Sequence, residues 1–258
     1  MSDWEKELTG RVLVLVAHAD DECVGYGALL QRMREATLVI ATSGAPRDPY
    51  FWQRFGSREA YRDLRAEEAR RAARLAGVKR LVLLAEQDDQ LEDQRLFLNL
   101  PRAYELLRQL AAEMRPEAIA TLAYEGGHPD HDSCSILGAR LAREQALPIW
   151  EAPLYHRGAA PDGAEAPIQL QRFLWQSGEE VELQLTDAEV ERKRAICAQY
   201  ASQGEVLRSF DVRRELLRPQ VRYDYSCPPH GGPVNYEAWQ WWMSARQVCQ
   251  QFTAFLGA

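Results

Sequence analysis

The sequence predicts an α/β protein with a Rossmann-like, mostly parallel sheet flanked by helices. Continuous apolar, β-branched segments of strand length recur along the first part of the chain. Helix-length segments rich in Ala, Arg, Glu and Leu separate them, and this alternation is typical of βαβ units. The composition agrees with a globular domain, since 46% of the 258 residues are hydrophobic and 27% are charged.

The first strand is predicted at residues 11–17, where RVLVLVA is apolar after its first residue and suits burial on both faces. Similar segments predict four further strands at 36–42, 80–85, 117–123 and 147–154. Helices are predicted between these strands at 57–76, 100–114 and 133–146. The first of these helices has a cap residue, Ser57, at its start and Gly77 at its end.

Beyond about residue 150 the alternation weakens. The stretch 157–167 predicts a loop, 168–175 and 181–185 predict short strands, and Thr186 with Glu189 predicts a capping box for a helix to about residue 200. Prolines and glycines make 219–233 irregular, and 235–256 predicts an aromatic-rich helix. We therefore expect one domain over 1–258, with a core at about 10–205 and an extension, 206–258, that shapes the pocket or subunit contacts.

The charge balance predicts that nucleic acid is not a partner. The chain has 38 acidic and 31 basic side chains, for a net charge of -7. No apolar run reaches the length of a membrane span, and the polar N-terminus does not resemble a secretory signal. Five scattered cysteines without a CxxC pair are typical of reduced thiols in a cytoplasmic protein.

Polar clusters follow the first and fourth predicted strands. The first reads Ala17-His18-Ala19-Asp20-Asp21-Glu22, and the second runs from Glu125 to Asp132 as EGGHPDHD. Because the carboxyl ends of parallel strands lie at one edge of the sheet, we expect the two clusters to converge. Either cluster alone is explained by helix capping or by surface histidines, but their joint occurrence favours a site.

The residue types in these clusters indicate a metal site. Imidazole and carboxylate suit zinc, and a catalytic zinc keeps three protein ligands and one water. His18, one of Asp20 and Asp21, and one of His128 and His131 give that number. One carboxylate and one imidazole remain, the pair that a hydrolase needs as general base and general acid. Two histidines with one carboxylate also suit Fe²⁺.

At these residues the chain resembles the LmbE-like (PIG-L) zinc-dependent N-deacetylases. The family motif AHPDDE is matched by AHADDE at 17–22, and HPDH is matched at 128–131. Ala19 replaces the family's proline, which removes neither a ligand nor a base. Weaker similarity covers Arg65 to Glu68, Asp88 to Leu91 and the helix from Lys193 to Gln203.

The resemblance implies a role for each matched residue. His18, Asp21 and His131 would bind zinc, and Asp20 would be the general base for the zinc water. His128 would stabilise the oxyanion or protonate the departing amine, with Asp130 orienting or charging it. Arg65 and Asp88 match positions that contact substrate hydroxyls. Relatives often assemble as trimers or hexamers, so a homo-oligomer is expected.

The function that we expect is hydrolysis of an N-acyl group, most simply N-acetyl, on a small-molecule amino-sugar conjugate. One alternative is an amidase for a thiol conjugate or an antibiotic intermediate. Another is a nucleotide-binding Rossmann-like module, although the first strand is not followed by GxGxxG. Both a pocket role and a purely structural role remain open for His156, His230, the aromatic residues of 50–55, and the Trp239–Trp242–Arg246 stripe.

Overall fold

The computed structural model describes residues 3–158 and 166–257. Within these ranges the strands are β1 (Arg11–Val16), β2 (Glu35–Ile40), β3 (Arg80–Leu83), β4 (Ala118–Leu122), β5 (Ile149–Ala152), β6 (Tyr155–His156), β7 (Gln169–Leu170), β8 (Val181–Glu182) and β9 (Leu216–Pro219). The main sheet has the order β3-β2-β1-β4-β5-β9-β8, and β6 pairs with β7 separately. Five neighbouring strands, from β3 to β5, are parallel, which confirms the predicted fold class.

The strand order reverses at β1, the central strand of the parallel part. β1 pairs with β2 on one side, where Val16 lies opposite Ile40, and with β4 on the other, where Val12 lies opposite Ala118. The side chains of β1 from Val12 onward are fully buried, as its apolar sequence predicts. Ligand sites of open α/β sheets lie at such a reversal, outside the carboxyl ends of the strands.

The helices of the described residues are α1 (Asp3–Leu8), α2 (Asp21–Gly25), α3 (Arg58–Ala76), α4 (Leu100–Met114), α5 (Pro129–Gln145), α6 (Asp187–Cys197), α7 (Gly204–Leu207), α8 (Asn235–Ala238) and α9 (Ala245–Gly257). The predicted caps of α3 are confirmed. Ser57 accepts a hydrogen bond from the backbone N–H of Ala60, and Gly77 is left-handed with φ 78°. The Thr186–Glu189 capping box of α6 is also confirmed.

The last third of the chain differs from its prediction. The strands expected at 168–175 and 181–185 are reduced to the two-residue β7 and β8, and β9 joins the sheet antiparallel to β5. The helix expected at 235–256 is broken into α8 and α9, with Gln240 at φ 56° between them. Trp239, Trp242 and Arg246 therefore do not share one helix face. Residues 159–165 of the predicted loop lie outside the described residues.

Within 3–158 and 166–257, the structure contains no helix that is both long enough and apolar enough to cross a membrane.

Candidate active site

The ends of β1 and β4 bring the two polar clusters together. β1 is followed by His18 and by Asp21, the first residue of α2, while β4 is followed by the start of α5, which carries His131. Nδ1 of His18 lies 3.2 Å from Nε2 of His131, although the two residues are 113 positions apart in the chain. The predicted convergence at one sheet edge is therefore present in the structure.

His18, Asp21 and His131 fit a tetrahedral metal ion. The carboxylate of Asp21 places Oδ2 3.4 Å from Nδ1 of His18 and Oδ1 3.3 Å from Nε2 of His131. Ligand atoms about 2.0–2.1 Å from a tetrahedral zinc lie about 3.3 Å apart, so these separations match the expected spacing. The backbone N–H of His18 donates to Asp21 at 2.8 Å, which holds the carboxylate in place.

The charges around His18 favour a cation at this position. Burial lowers the pKa of His18, but the carboxylates of Asp93 and Asp21 outweigh burial and hold that pKa well above its ordinary value. Burial raises the pKa of Asp21, yet His131 and His18 hold it well below its usual range. The site therefore has an excess of buried carboxylate groups. A bound divalent ion would neutralise their negative charge.

A second group of possible ligands lies on the other side of His18. Nε2 of His18 is 3.4 Å from both Asp93 and Asp130, and these residues could hold an ion together with His128. However, both oxygens of Asp130 already accept backbone hydrogen bonds, from Gln94 at 2.6 Å and from Leu96 at 3.0 Å. The set of His18, Asp21 and His131 therefore fits a metal better, with Asp130 and Asp93 as partners for the far nitrogen of His18.

Asp20 is held in an unusual backbone conformation. Its φ is 138°, a region that residues other than glycine rarely adopt. Arg65 supports this turn, because its Nη2 donates to the carbonyl of Ala19 at 2.7 Å and lies 3.3 Å from the Asp20 carboxylate. Burial raises the pKa of Asp20 to about 7, although the Arg65 guanidinium opposes the rise. A carboxylate with this pKa can accept and release a proton near neutral pH.

His128 is the cap residue of α5, and its tautomer follows from that position. Its Nδ1 accepts the backbone N–H of Asp130 at 3.1 Å, so the proton of the neutral ring is on Nε2. Nε2 lies 3.5 Å from the carboxylate of Asp93. Burial and the neighbouring His18 lower the pKa of His128, which favours the neutral ring. His128 thus presents an N–H donor beside the candidate metal ligands.

Neither Asp130 nor Asp88 lines the cavity, but Asp130 lies against the site. The backbone N–H of Asp130 orients the His128 ring, and its carboxylate, 3.9 Å from Nδ1 of His128, acts on the ring through its charge and also binds the backbone of residues 94–96. Asp88 is not among the residues that line the cavity, and its carboxylate pairs with Arg102 at 2.8 Å. Asp93, five positions later, lines the cavity, although the sequence did not predict it as a site residue.

The segment from Lys193 to Gln203, matched only weakly in sequence, supports the site. Buried Lys193 donates to the carbonyl of Val24 at 2.9 Å and pairs with Glu215 at 2.8 Å. Tyr200 donates to Glu22, and Ser202 donates to Glu68 at 2.6 Å. Three of these four partners, Val24, Glu22 and Glu68, lie in α2 and α3, so the segment fixes the two helices that carry Asp21 and Arg65.

A cavity of about 400 Å³ opens over the ligands. Its polar side contains His18, Asp20, Asp21, Arg65, Asp93, Gln94, His128, His131 and Gln203. Aromatic residues Phe51, Tyr155, Trp239 and Trp241 also line it, and Trp241 packs edge-on against His128 at 5.0 Å. His156 and His230 do not line it. His156 is buried and bonded to the carbonyl of Arg172 at 2.8 Å.

The chain is similar in sequence to a known family and to known proteins. A family model described as PIG-L, GlcNAc-PI de-N-acetylase, matches residues 13–142. A probable N-acetyl-alpha-D-glucosaminyl L-malate deacetylase 2 of Bacillus subtilis (strain 168) is 30% identical over 132 residues, covering 48% of this chain and 56% of that protein. Its namesake in Bacillus anthracis is 29% identical over 165 residues, covering 61% and 69%. The chain thus matches little more than half of the first relative's length.

Solved structures share the fold at low identity. A deacetylase of teicoplanin biosynthesis superposes with a TM-score of 0.63 and 16% identity, covering 83% of this chain and 99% of that one. The 4-carboxy-2-hydroxymuconate hydratase of Pseudomonas putida KT2440 superposes at 0.53 and 16% identity, with the same shares covered. Because a deacetylase and a hydratase occur on this fold, the fold alone does not determine the reaction, which depends on the site.

Proposed function

The chain belongs to the PIG-L family, and on this premise we propose that it is a metal-dependent hydrolase of an N-acyl amino-sugar conjugate, with N-acetyl as the simplest acyl group. The observation that carries the proposal is the set of His18, Asp21 and His131 at metal-ligand spacing, with Asp20 beside it in the same cavity. The names of the relatives, which include deacetylases of N-acetylglucosaminyl malate, support the amino-sugar class.

His18, Asp21 and His131 would hold the ion, with Zn²⁺ expected from the family and Fe²⁺ also compatible with the donors. When bound, such an ion lowers the pKa of a water molecule and polarises the acyl carbonyl. The carboxylates of Asp93 and Asp130 would accept from the far nitrogen of His18, which lies 3.4 Å from each. That contact orients the ring and strengthens it as a ligand.

Asp20 would act as the general base. It would take a proton from the attacking water as the new carbon–oxygen bond forms. The carbon–nitrogen bond then breaks, the amine leaves with a proton, and a carboxylate remains as the second product. Arg65 would hold Asp20 in its strained turn, because it contacts both the Ala19 carbonyl and the Asp20 carboxylate. Arg65 also lines the cavity, where it would contact substrate hydroxyls.

His128 would serve the oxygen or the nitrogen of the breaking amide. Its Nε2–H is positioned either to donate to the developing oxyanion or to deliver a proton to the departing amine. Asp93 faces this nitrogen at 3.5 Å, so it would stabilise the ring when it carries positive charge. The predicted substrate contact of Asp88 has no support in its position, and we assign that side of the cavity to Asp93 and Gln94.

We also propose a reducing, cytoplasmic location, supported by five cysteines that are all free thiols. Assembly as a trimer or hexamer stays a prediction from the family resemblance.

The test pairs metal content with amine release from N-acetylglucosamine at pH 7–8, with and without chelator. Near-stoichiometric zinc and chelator-sensitive release are the expected results. Metal without release would redirect the search to other N-acyl compounds, including thiol conjugates and antibiotic intermediates. If the protein neither contained metal nor took up added zinc, the proposal would fail. ATP affinity without bound metal would instead favour the nucleotide-binding alternative.

A further inference from the structure

One side of the cavity is mostly apolar, although Ser209 also lines it. Val24, Leu154, Leu170, Leu207 and Phe210 line it, together with Ile168 and Val206, and we call this set the apolar compartment. Given the proposed function, on which this inference rests, we propose that the apolar compartment receives the acyl group of the substrate and that the preferred acyl group is longer than acetyl.

The apolar compartment begins directly at the metal ligands. Val24 lies three positions after Asp21 in α2, so the two side chains share one face of that helix. Leu154 precedes Tyr155, whose ring lies 5.2 Å from the ring of His131. A Cβ added at Gly25, beside Val24, would lie 3.5 Å from Leu154 Cδ2, so α2 and Leu154 are in near contact. An acyl carbonyl at the ligands would therefore direct its chain into the apolar compartment.

The walls of the apolar compartment are fixed to one another by a buried glutamine. The backbone N–H of Gln171 donates to the carbonyl of Leu154 at 2.8 Å. Its side chain accepts the N–H of Asp211 at 2.8 Å and donates to the carbonyl of Arg214 at 3.1 Å. Gln171 thus joins β7, next to Leu170, to the segment that carries Phe210. The compartment is preformed, which lowers the entropic cost of binding a chain.

An acetyl group is too small to account for this surface. It carries one methyl group, whereas Ile168 and Val206 remain 40% and 55% exposed at the open end of the compartment. A longer chain would cover these side chains and gain about fourfold in affinity for each fully buried methylene. Sugar hydroxyls would find few partners there, since Ser209 is the polar side chain among these apolar ones. The sugar is better placed at the polar side, with Arg65, Asp93 and Gln94.

The test compares kcat/KM for N-acetylglucosamine, N-octanoylglucosamine and the octyl glycoside of N-acetylglucosamine. We expect N-octanoylglucosamine to exceed N-acetylglucosamine by about tenfold or more, since its six additional methylenes are buried only in part. Equal or lower values for the octanoyl compound would overturn the inference. A preference for the octyl glycoside over both would overturn it as well, because the compartment would then hold the group on the sugar.

Variants at the open end of the apolar compartment test whether this compartment sets the preference for the acyl chain. Ile168→Asp and Val206→Asp should each lower the octanoyl-to-acetyl ratio by several fold, because they place a charge against the chain. Leu75→Asp is the matched control, since Leu75 in α3 is 39% exposed and does not line the cavity. Its ratio should equal that of the wild type. An unchanged ratio in both test variants would contradict the inference.

Binding of the product acids separates this inference from the proposed function. Calorimetry with octanoate and acetate requires no turnover, and we expect octanoate to bind more tightly by about tenfold or more. If octanoate bound preferentially, and Val206→Asp weakened it, while no amide was hydrolysed, the compartment would stand and the proposed reaction would fall. If amides were hydrolysed but octanoate had no advantage, the reaction would stand and this inference would fall.

Discussion

Asp20 combines a strained backbone with a buried carboxylate at the edge of the cavity. Its φ of 138° is maintained by Arg65, which holds both the preceding carbonyl and the carboxylate. Strained residues persist where the surrounding structure fixes them, and they concentrate at functional sites. The backbone and the carboxylate of Asp20 should therefore have separate effects, the first on stability and the second on activity.

Substitution of the base and of a ligand should have separable effects. Asp20→Asn should lower turnover by about 10²–10⁴-fold, the usual contribution of a general base, and leave the metal content unchanged. His18→Ala should lose metal and turnover together, because it removes one of three ligands. Elemental analysis of each purified variant, alongside amine release, measures both effects. Full activity in Asp20→Asn would exclude Asp20 as the base.

The backbone strain at Asp20 predicts a difference between two small substitutions. Asp20→Gly should be more stable than Asp20→Ala by about 1–2 kcal/mol, because glycine has no Cβ and adopts positive φ without a clash. Both variants should be inactive, so the comparison isolates the backbone. Urea unfolding measures the two free energies, and equal stabilities would argue against strain at this residue.

Asp93 and Asp88 provide a paired test of the loop after β3. Asp93→Asn should reduce turnover or metal affinity by about 10–100-fold, because the carboxylate contacts both His18 and His128. Asp88→Asn should remain within about twofold of wild type, since Asp88 pairs with Arg102 outside the cavity. Metal titration and kcat/KM check both variants, and the reverse pattern would favour the position implied by the family resemblance.

The place of the candidate ligands could be predicted from sequence because they lie in short motifs after buried strands, whereas the choice of Asp21 and His131 within those motifs rests on the family resemblance. His18, Asp21 and His131 are fixed by β1, β4 and the helices that start beside them. Asp93 could not be predicted in this way. It lies in a loop with Asp88, Asp89 and Glu92, and no periodicity distinguishes one acidic residue there from another. Its role depends on the contact of Asp130 with the backbone of Gln94, which only the folded chain makes.

Elements buried on both faces were predictable, and elements defined by a tertiary partner were not. Strand β1 is apolar throughout its buried length, whereas β7 and β8 are two-residue pairings whose extent depends on β6 and β9. The sequence does contain a signal for the break between α8 and α9. The backbone N–H of Ser244 donates to the Gln247 side chain at 2.8 Å, and the Ser244 hydroxyl accepts the N–H of Gln247 at 3.3 Å. That spacing is a capping box, which marks a new helix start.

The buried ion pair between α6 and the segment before β9 should contribute strongly to stability. Lys193 and Glu215 are 2.8 Å apart with almost no exposed surface, and Glu215 also accepts from the backbone N–H of Leu29 at 3.0 Å. Lys193→Met should cost about 3–5 kcal/mol, because it leaves a buried carboxylate without its cation. Denaturant unfolding measures this loss.

Two further variants control that measurement. Exposed Lys79→Met should change stability by no more than about 0.5 kcal/mol. The double variant Lys193→Met with Glu215→Gln should recover part of the loss, because the unpaired charge is then absent. A loss below about 1 kcal/mol in Lys193→Met would show that the pair is not an important link between these segments.

For the whole molecule, metal binding and folding should be coupled. An ion that binds only the folded chain stabilises it by about 2.7 kcal/mol at a free concentration of 100 times Kd. We therefore expect Tm to rise with added zinc and to fall with chelator. His18→Ala should abolish this dependence while keeping the fold. Calorimetry measures Tm, and the same zinc response in His18→Ala would place the stabilising ion elsewhere.

The reversal of strand order at β1 has a consequence for how the chain is held together. The candidate ligands follow β1 and its neighbour β4, and His18 and His131 meet across 113 positions of the sequence. A bound ion would therefore act as a reversible cross-link that closes one long loop containing β2, β3 and β4. Slow hydrogen exchange in those strands would then report occupancy of the site. After cleavage of the chain between β2 and β3, the protein would stay folded longer with the ion bound than without it.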